Sequence, residues 1–267
     1  MVIHLSVWDL VLASVLVIIL AGISWRMRFG IERKLLWAAL RTAVQLSLIG
    51  LVLKVLFDNA TVYWVALMAT VMLLLAGREV MARQERRFAG WWGYGVGTLS
   101  MFISSFAVTI LALLILIQPE PWYLPQYAIP LLGMVLGNTM SGIALGLDRL
   151  TTSAWQQRQA IEARLMLGFP SGKAIELIRR DSMRVGLVPI VNAMAAAGVI
   201  SLPGMMTGQI LAGTPPMEAV KYQILVMFLI ASGTGFGTLA AVWLGSRRLF
   251  DDRERLRLDR LHAKSKD

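Results

Sequence analysis

"AIEARLMLGFPSGKAIELIRRDSMR", residues 160–184, decides how the rest of the chain is read. The segment is helix-compatible from about Leu150 to Leu167. Gly168 then stands where a helix end favours a residue that can reverse the backbone, and Pro170 follows. Ser171 is placed to cap a second helix, on which Ala174, Ile175, Ile178 and Met183 fall on or near one face. A helical hairpin is therefore expected over residues 148–185. Long apolar runs flank it, and connections between such runs are short unless they have a task. The hairpin can lie on a membrane surface, or its charged tip can dock a soluble protein.

Composition sets the class. The chain has 267 residues, of which 57% are hydrophobic and 16% charged, with a mean hydropathy of +0.66. A soluble core of this size cannot absorb so many apolar residues. Apolar stretches of about 20 residues fall at residues 6–25, 35–57, 61–77, 91–117, 127–147, 186–213 and 219–245. The expected fold is all-α: a polytopic integral membrane protein with about seven transmembrane helices and a cytoplasmic hairpin.

Charge gives the orientation. Residues 26–34, 78–87, 148–184 and 246–267 together hold 23 of the 26 Lys and Arg. The opposite connections carry Asp58, Glu120 and Glu218. The basic side is cytoplasmic by the positive-inside rule, which puts the N-terminus outside and the C-terminus inside. The formal charge of +10 then reflects topology and anionic lipid headgroups, not nucleic acid. Trp25, Trp37, Trp91, Trp92, Trp122, Tyr123 and Tyr127 mark the interfaces.

Polar and small residues inside the spans are the candidate machinery. Arg41 lies about two turns into the second span, with Gln45 one turn further on the same face; it faces a pathway or snorkels to the headgroups. Asn138 and Asn192 need partners at membrane depth. Pro189 and Pro203 are expected to break or kink the sixth span. Met134, Met205, Met206 and Gln209, with Met194 nearby in sequence, offer a weak oxygen and thioether environment, although methionine also serves as core filler. Gly133 and Gly137, with Ser141, recur every four residues, as do Gly204 and Gly208 with Ala212. Such stripes favour helix packing, and as a pair they could wall a pathway.

Several chemistries are excluded. With no cysteine and two histidines, His4 and His262, the chain lacks thiolate sites and a stable iron or zinc centre. No G-x-x-x-x-G-K-[ST] occurs, and "GTGFGT" (233–238) sits inside an apolar span, so ATP is not cradled here. No H-E-x-x-H or G-x-S-x-G is present. An ion-coupled secondary carrier is kept as the alternative; it would need carboxylates at depth, for which Asp9 is the sole candidate.

Resemblance carries the reading further. Glu162-Ala163 followed by Gly168 resembles the E-A-A-x-x-x-G loop of ABC-transporter permeases, with Arg164 in place of the second alanine. "LRTAVQLSLIGLVLK" (40–54), "IPLLGMVLGNTMSG" (129–142), "LGFPSGKA", "RDSMR", "VISLPGMMTGQILAG" and "AVKYQI" resemble the FetB-type ABC permease family, which includes bacterial iron exporters and plant aluminium-tolerance proteins. The resemblance implies an inner-membrane transport subunit, not an enzyme, working as a homodimer with a separately encoded ABC ATPase. That partner carries the ATP and Mg²⁺, so no cofactor is expected on this chain. It also implies ATPase coupling through Glu162, Ala163, Arg164, Leu165 and Gly168. The cargo is iron or another metal ion, or, as plant members suggest, a nucleotide-sugar.

Reporters fused within 26–34, 78–87, 148–184 or after residue 245 should therefore read cytoplasmic, and labels near Asp58, Glu120 and Thr214 should be reached from outside. A cytoplasmic signal from residues 118–126 would overturn this topology.

Overall fold

The computed structural model describes residues 6–263, almost all helical. Six of its helices are long and apolar enough to cross a membrane. They are α1 (Val7–Arg26), α2 (Glu32–Asp58), α3 (Val62–Arg83), α4 (Trp91–Ile117), α5 (Pro125–Gln156) and α10 (Pro216–Arg248). Ser6 caps α1 through a reciprocal exchange of hydrogen bonds with Asp9. α4 is not uniformly α-helical. Phe102–Phe106 and Ala112–Ile117 wind as π-helix, a variation that apolar patterning does not announce.

Over the expected span at 186–213 the chain is not one continuous helix. It forms two helices, α8 (Glu176–Ala196) and α9 (Gly204–Leu211), separated by a turn. The break is made by Gly198, at φ +84°, and by Pro203, which precedes α9 and has no N–H to continue a helix. Pro189 does not end α8, which runs through it.

α5, α8 and α10 form the centre, with α3 and α4 packed around them. Their spacing is set by two glycines. A Cβ on Gly186 would lie 2.6 Å from the Gly142 carbonyl oxygen, and one on Gly142 would lie 2.7 Å from Thr234 and Thr238 of α10. The glycines named from the sequence behave differently within the chain. Gly137, Gly204 and Gly208 have no neighbour within 4 Å of such a Cβ, and Gly133 meets only the tip of Met72. By contrast α1 and α2 pack on each other and touch the rest lightly; Leu56 is the buried residue of α2. Apolar faces of that kind suit lipid.

At the charged end, α6 (Arg158–Met166) follows α5 almost without interruption, and α7 (Ser171–Ala174) leads into α8. The chain reverses between them at Gly168, φ +84°. Ser171 is not the cap expected: it occupies the first position of α7, and its N–H and hydroxyl both donate to the Glu254 carboxylate of the C-terminal tail. That tail folds back across the same end. β2 (Leu261–Ala263) pairs antiparallel with β1 (Arg86–Phe88), and Leu249, Phe250 and Leu261 are buried. Arg260 donates to the carbonyls of Arg248 and Phe250. Asp251 closes the intervening turn: the backbone N–H and guanidinium of Arg255 and the N–H of Arg253 hold its pKa at about 2.

Gly186→Ala should destabilise the chain by about 1–3 kcal/mol through overpacking. Gly137→Ala, facing open space on a helix, should be neutral or slightly stabilising. Thermal unfolding in one detergent compares them, and equal losses would refute this account of the crossing.

Candidate functional site

The hairpin is rooted in the core and exposed at its tip. Ile161, Ala174, Ile175 and Ile178 are buried in the main apolar cluster, against which Leu165 also packs. Arg164 donates to the Ala174 carbonyl at 3.3 Å and so ties one arm to the other. Of the tip residues named from sequence, Leu165 and Arg164 thus hold the hairpin together, whereas Glu162, Ala163 and Gly168 lie on its surface. Sequence reasoning passed over the apolar side chains between them. Met166 is 83% exposed, Leu167 77% and Phe169 49%. The signal was present: "LMLGF" is an apolar run at the turn of a charged hairpin, where solubility alone would favour polar residues.

Around this tip the surface is charged and cross-linked. Arg86 lies over the Trp155 ring at 4.1 Å and Arg248 over Trp92 at 4.5 Å. Thr151 donates to the Arg86 carbonyl at 2.7 Å, the Glu85 N–H donates to Asp148, and Arg149 pairs with Asp181 across α5 and α8. These contacts bind the hairpin arms, the β1 segment and the tail into one platform.

The candidate pathway residues do not converge on one site. Met134, Met205 and Gln209 do share a cavity of 210 Å³, with Gln126, Tyr127 and Tyr222. Met206 lines a separate cavity of 480 Å³ that also touches α9, together with Met194, Met227 and Gln223. Asn138 is exposed and satisfied by its own helix, its Nδ2 donating to the Met134 carbonyl at 2.8 Å. Asn192 is also exposed. Arg41 forms an ion pair with Glu79 of α3 at 2.6 Å. Gln45 is exposed one turn along α2. Glu79 lies within the basic segment 78–87, and nothing local marks it as the partner of Arg41.

Comparison with known proteins gives a consistent set of relatives. The family described as "Uncharacterised protein family (UPF0014)" matches residues 7–250. The UPF0014 membrane protein slr1647 of Synechocystis is 39% identical over 242 residues, 89% of this chain and 90% of that protein. The Escherichia coli protein named "Probable iron export permease protein FetB" is 33% identical over 262 residues, 96% of each chain. Protein ALUMINUM SENSITIVE 3 of Arabidopsis thaliana is 30% identical over 234 residues, 87% of this chain and 83% of that one. No solved structure matches.

Because Arg41 and Glu79 pair between α2 and α3, their substitutions should not be additive. A double-mutant cycle on Arg41→Leu and Glu79→Leu, read as stability in detergent, should give a coupling energy above about 0.5 kcal/mol. Strict additivity would show that the pair contributes nothing and that α2 is held otherwise.

Proposed function

Since the chain belongs to the UPF0014 family of membrane proteins, we propose that it is the permease subunit of an ABC-type exporter whose ATPase is a separate chain docking on the 148–185 hairpin. The observation that carries this reading is the tip. Met166, Leu167 and Phe169 are exposed on a rigid reversal at the charged end of the bundle, outside the long apolar spans. An apolar cluster rimmed by charge is what a protein–protein contact buries. Glu162, on the surface beside it, offers a carboxylate to a basic rim on the partner.

The architecture supplies a transmission. α5 is 32 residues long, about 48 Å as a continuous helix, and runs from the opposite end of the bundle to the root of the hairpin. α8 leaves the hairpin on the other arm and crosses α5 at Gly142 and Gly186. Closing an ATPase on the tip therefore moves both arms, and through them the helices that border the two cavities. ATP and Mg²⁺ lie on the partner. Two copies of this chain complete the transporter, its charged end facing the cytoplasm of a bacterial inner membrane. The cargo is a metal ion, a reading supported by the Escherichia coli relative named as a probable iron export permease.

Gly168→Val forces a β-branched residue into a left-handed turn, and Glu162→Arg reverses the rim charge. Both variants should insert normally, since neither touches a span. Both should fail to retain a co-expressed ABC ATPase in detergent pull-downs, in keeping with about 2–5 kcal/mol lost for a broken desolvated charge pair. Retention of the ATPase by the doubly substituted chain would reduce the hairpin to a membrane-surface element.

A further inference from the structure

Three methionines from three successive helices line the larger cavity, which opens at the bundle surface. Met194 comes from the end of α8, Met206 from α9 and Met227 from α10. They share the 480 Å³ space with Gln223, which stands one turn before Met227 on α10. Gln223 is only 8% exposed, and its Oε1 has no hydrogen-bond partner. A buried acceptor left without a donor is uncommon in a folded chain and asks what satisfies it. The remaining lining, Ala197, Gly198, Leu202, Pro203, Val220, Ile224 and Phe228, offers no charged side chain.

The donor set discriminates among cations. Hard ions such as Mg²⁺ and Ca²⁺ take carboxylates, carbonyls and water, whereas thioethers select soft ions. Among the described residues no group of three or more His, Asp and Glu is assembled to hold a metal. Methionine is unbranched and polarizable, with a side chain that adapts to irregular space. Side chains of that kind can close a cavity wider than a bare ion around one.

We propose that this cavity binds a soft monovalent d¹⁰ cation, Cu(I) or Ag(I), through the sulfurs of Met194, Met206 and Met227, with the Gln223 Oε1 as a further donor. All four donors are neutral, so the ion keeps its charge and hydration competes with the site. That suits a species that is bound in passing and released. The proposal deepens the transport reading by naming a class of cargo, and it rests on that reading only for the word cargo; the binding belongs to the chain alone.

The test titrates Ag(I), as nitrate, into the full chain in nanodiscs. Wild type should show one saturable site, and silver X-ray absorption should show sulfur ligands. Met206→Leu combined with Met227→Leu keeps side-chain volume and the fold and should weaken binding about tenfold or more. Met217→Leu, at an exposed position at the start of α10 and outside both cavities, should leave affinity unchanged, as should added Fe(II). No saturable Ag(I) site in wild type, no sulfur in the ligand shell, or undiminished affinity in the double variant would overturn the proposal. A chain that binds Ag(I) as described but engages no ABC ATPase would uphold the site and refute the transporter reading.

Discussion

The close crossing of α5 and α8 is the constraint on which the rest depends. Two helices can approach this far only where neither carries a Cβ, and Gly142 and Gly186 face each other's backbones there. α10 lays Thr234 and Thr238 into the same junction. Within a membrane, association cannot draw on apolar transfer from water, so contact of this kind is what holds helices together. The crossing also fixes the angle at which α5 and α8 leave the bundle, and hence where the hairpin they support presents its tip.

The charged end is organised around that hairpin. The tail returns after α10 to pair with β1 and to place Glu254 at the start of α7. Its buried Leu249, Phe250 and Leu261 belong to the main apolar cluster of the bundle. A helix end left uncapped beside an exposed tip would fray, and the carboxylate of Glu254 meets the free N–H of Ser171 there. The tip is thus exposed while the start of α7 beside it is tied to the tail, the arrangement on which the proposed docking relies.

Much of this was legible in the sequence. Long apolar runs located all six helices that are long enough to cross a membrane, because length and hydropathy are governed by the same bilayer thickness. The hairpin was legible from Gly168 and Pro170. What the sequence hid were pairings between distant residues. Arg41 and Glu79 stand 38 positions apart, and nothing local connects them. The stripe at Gly133 and Gly137 reads as a packing face, yet the tightest approaches within the chain include Gly142, Gly186, Gly233 and Gly237, because which face of a helix meets a neighbour is a tertiary fact. The break before Gly204 was legible from Pro203, whereas the contribution of Gly198, at φ +84°, was not. Likewise Gln223 reads as an ordinary polar residue until burial and the surrounding methionines are seen together.

The central claim is that the apolar tip of the hairpin is covered by an ATPase and not by lipid. Because the chain has no cysteine, a single Leu167→Cys carrying a polarity-sensitive fluorophore reports on that one place. In vesicles without partner the probe should read as aqueous and be quenched by a water-soluble agent. Adding the ABC ATPase should shift it to an apolar environment and protect it. A probe already buried in the vesicle alone, and indifferent to the ATPase, would contradict the account.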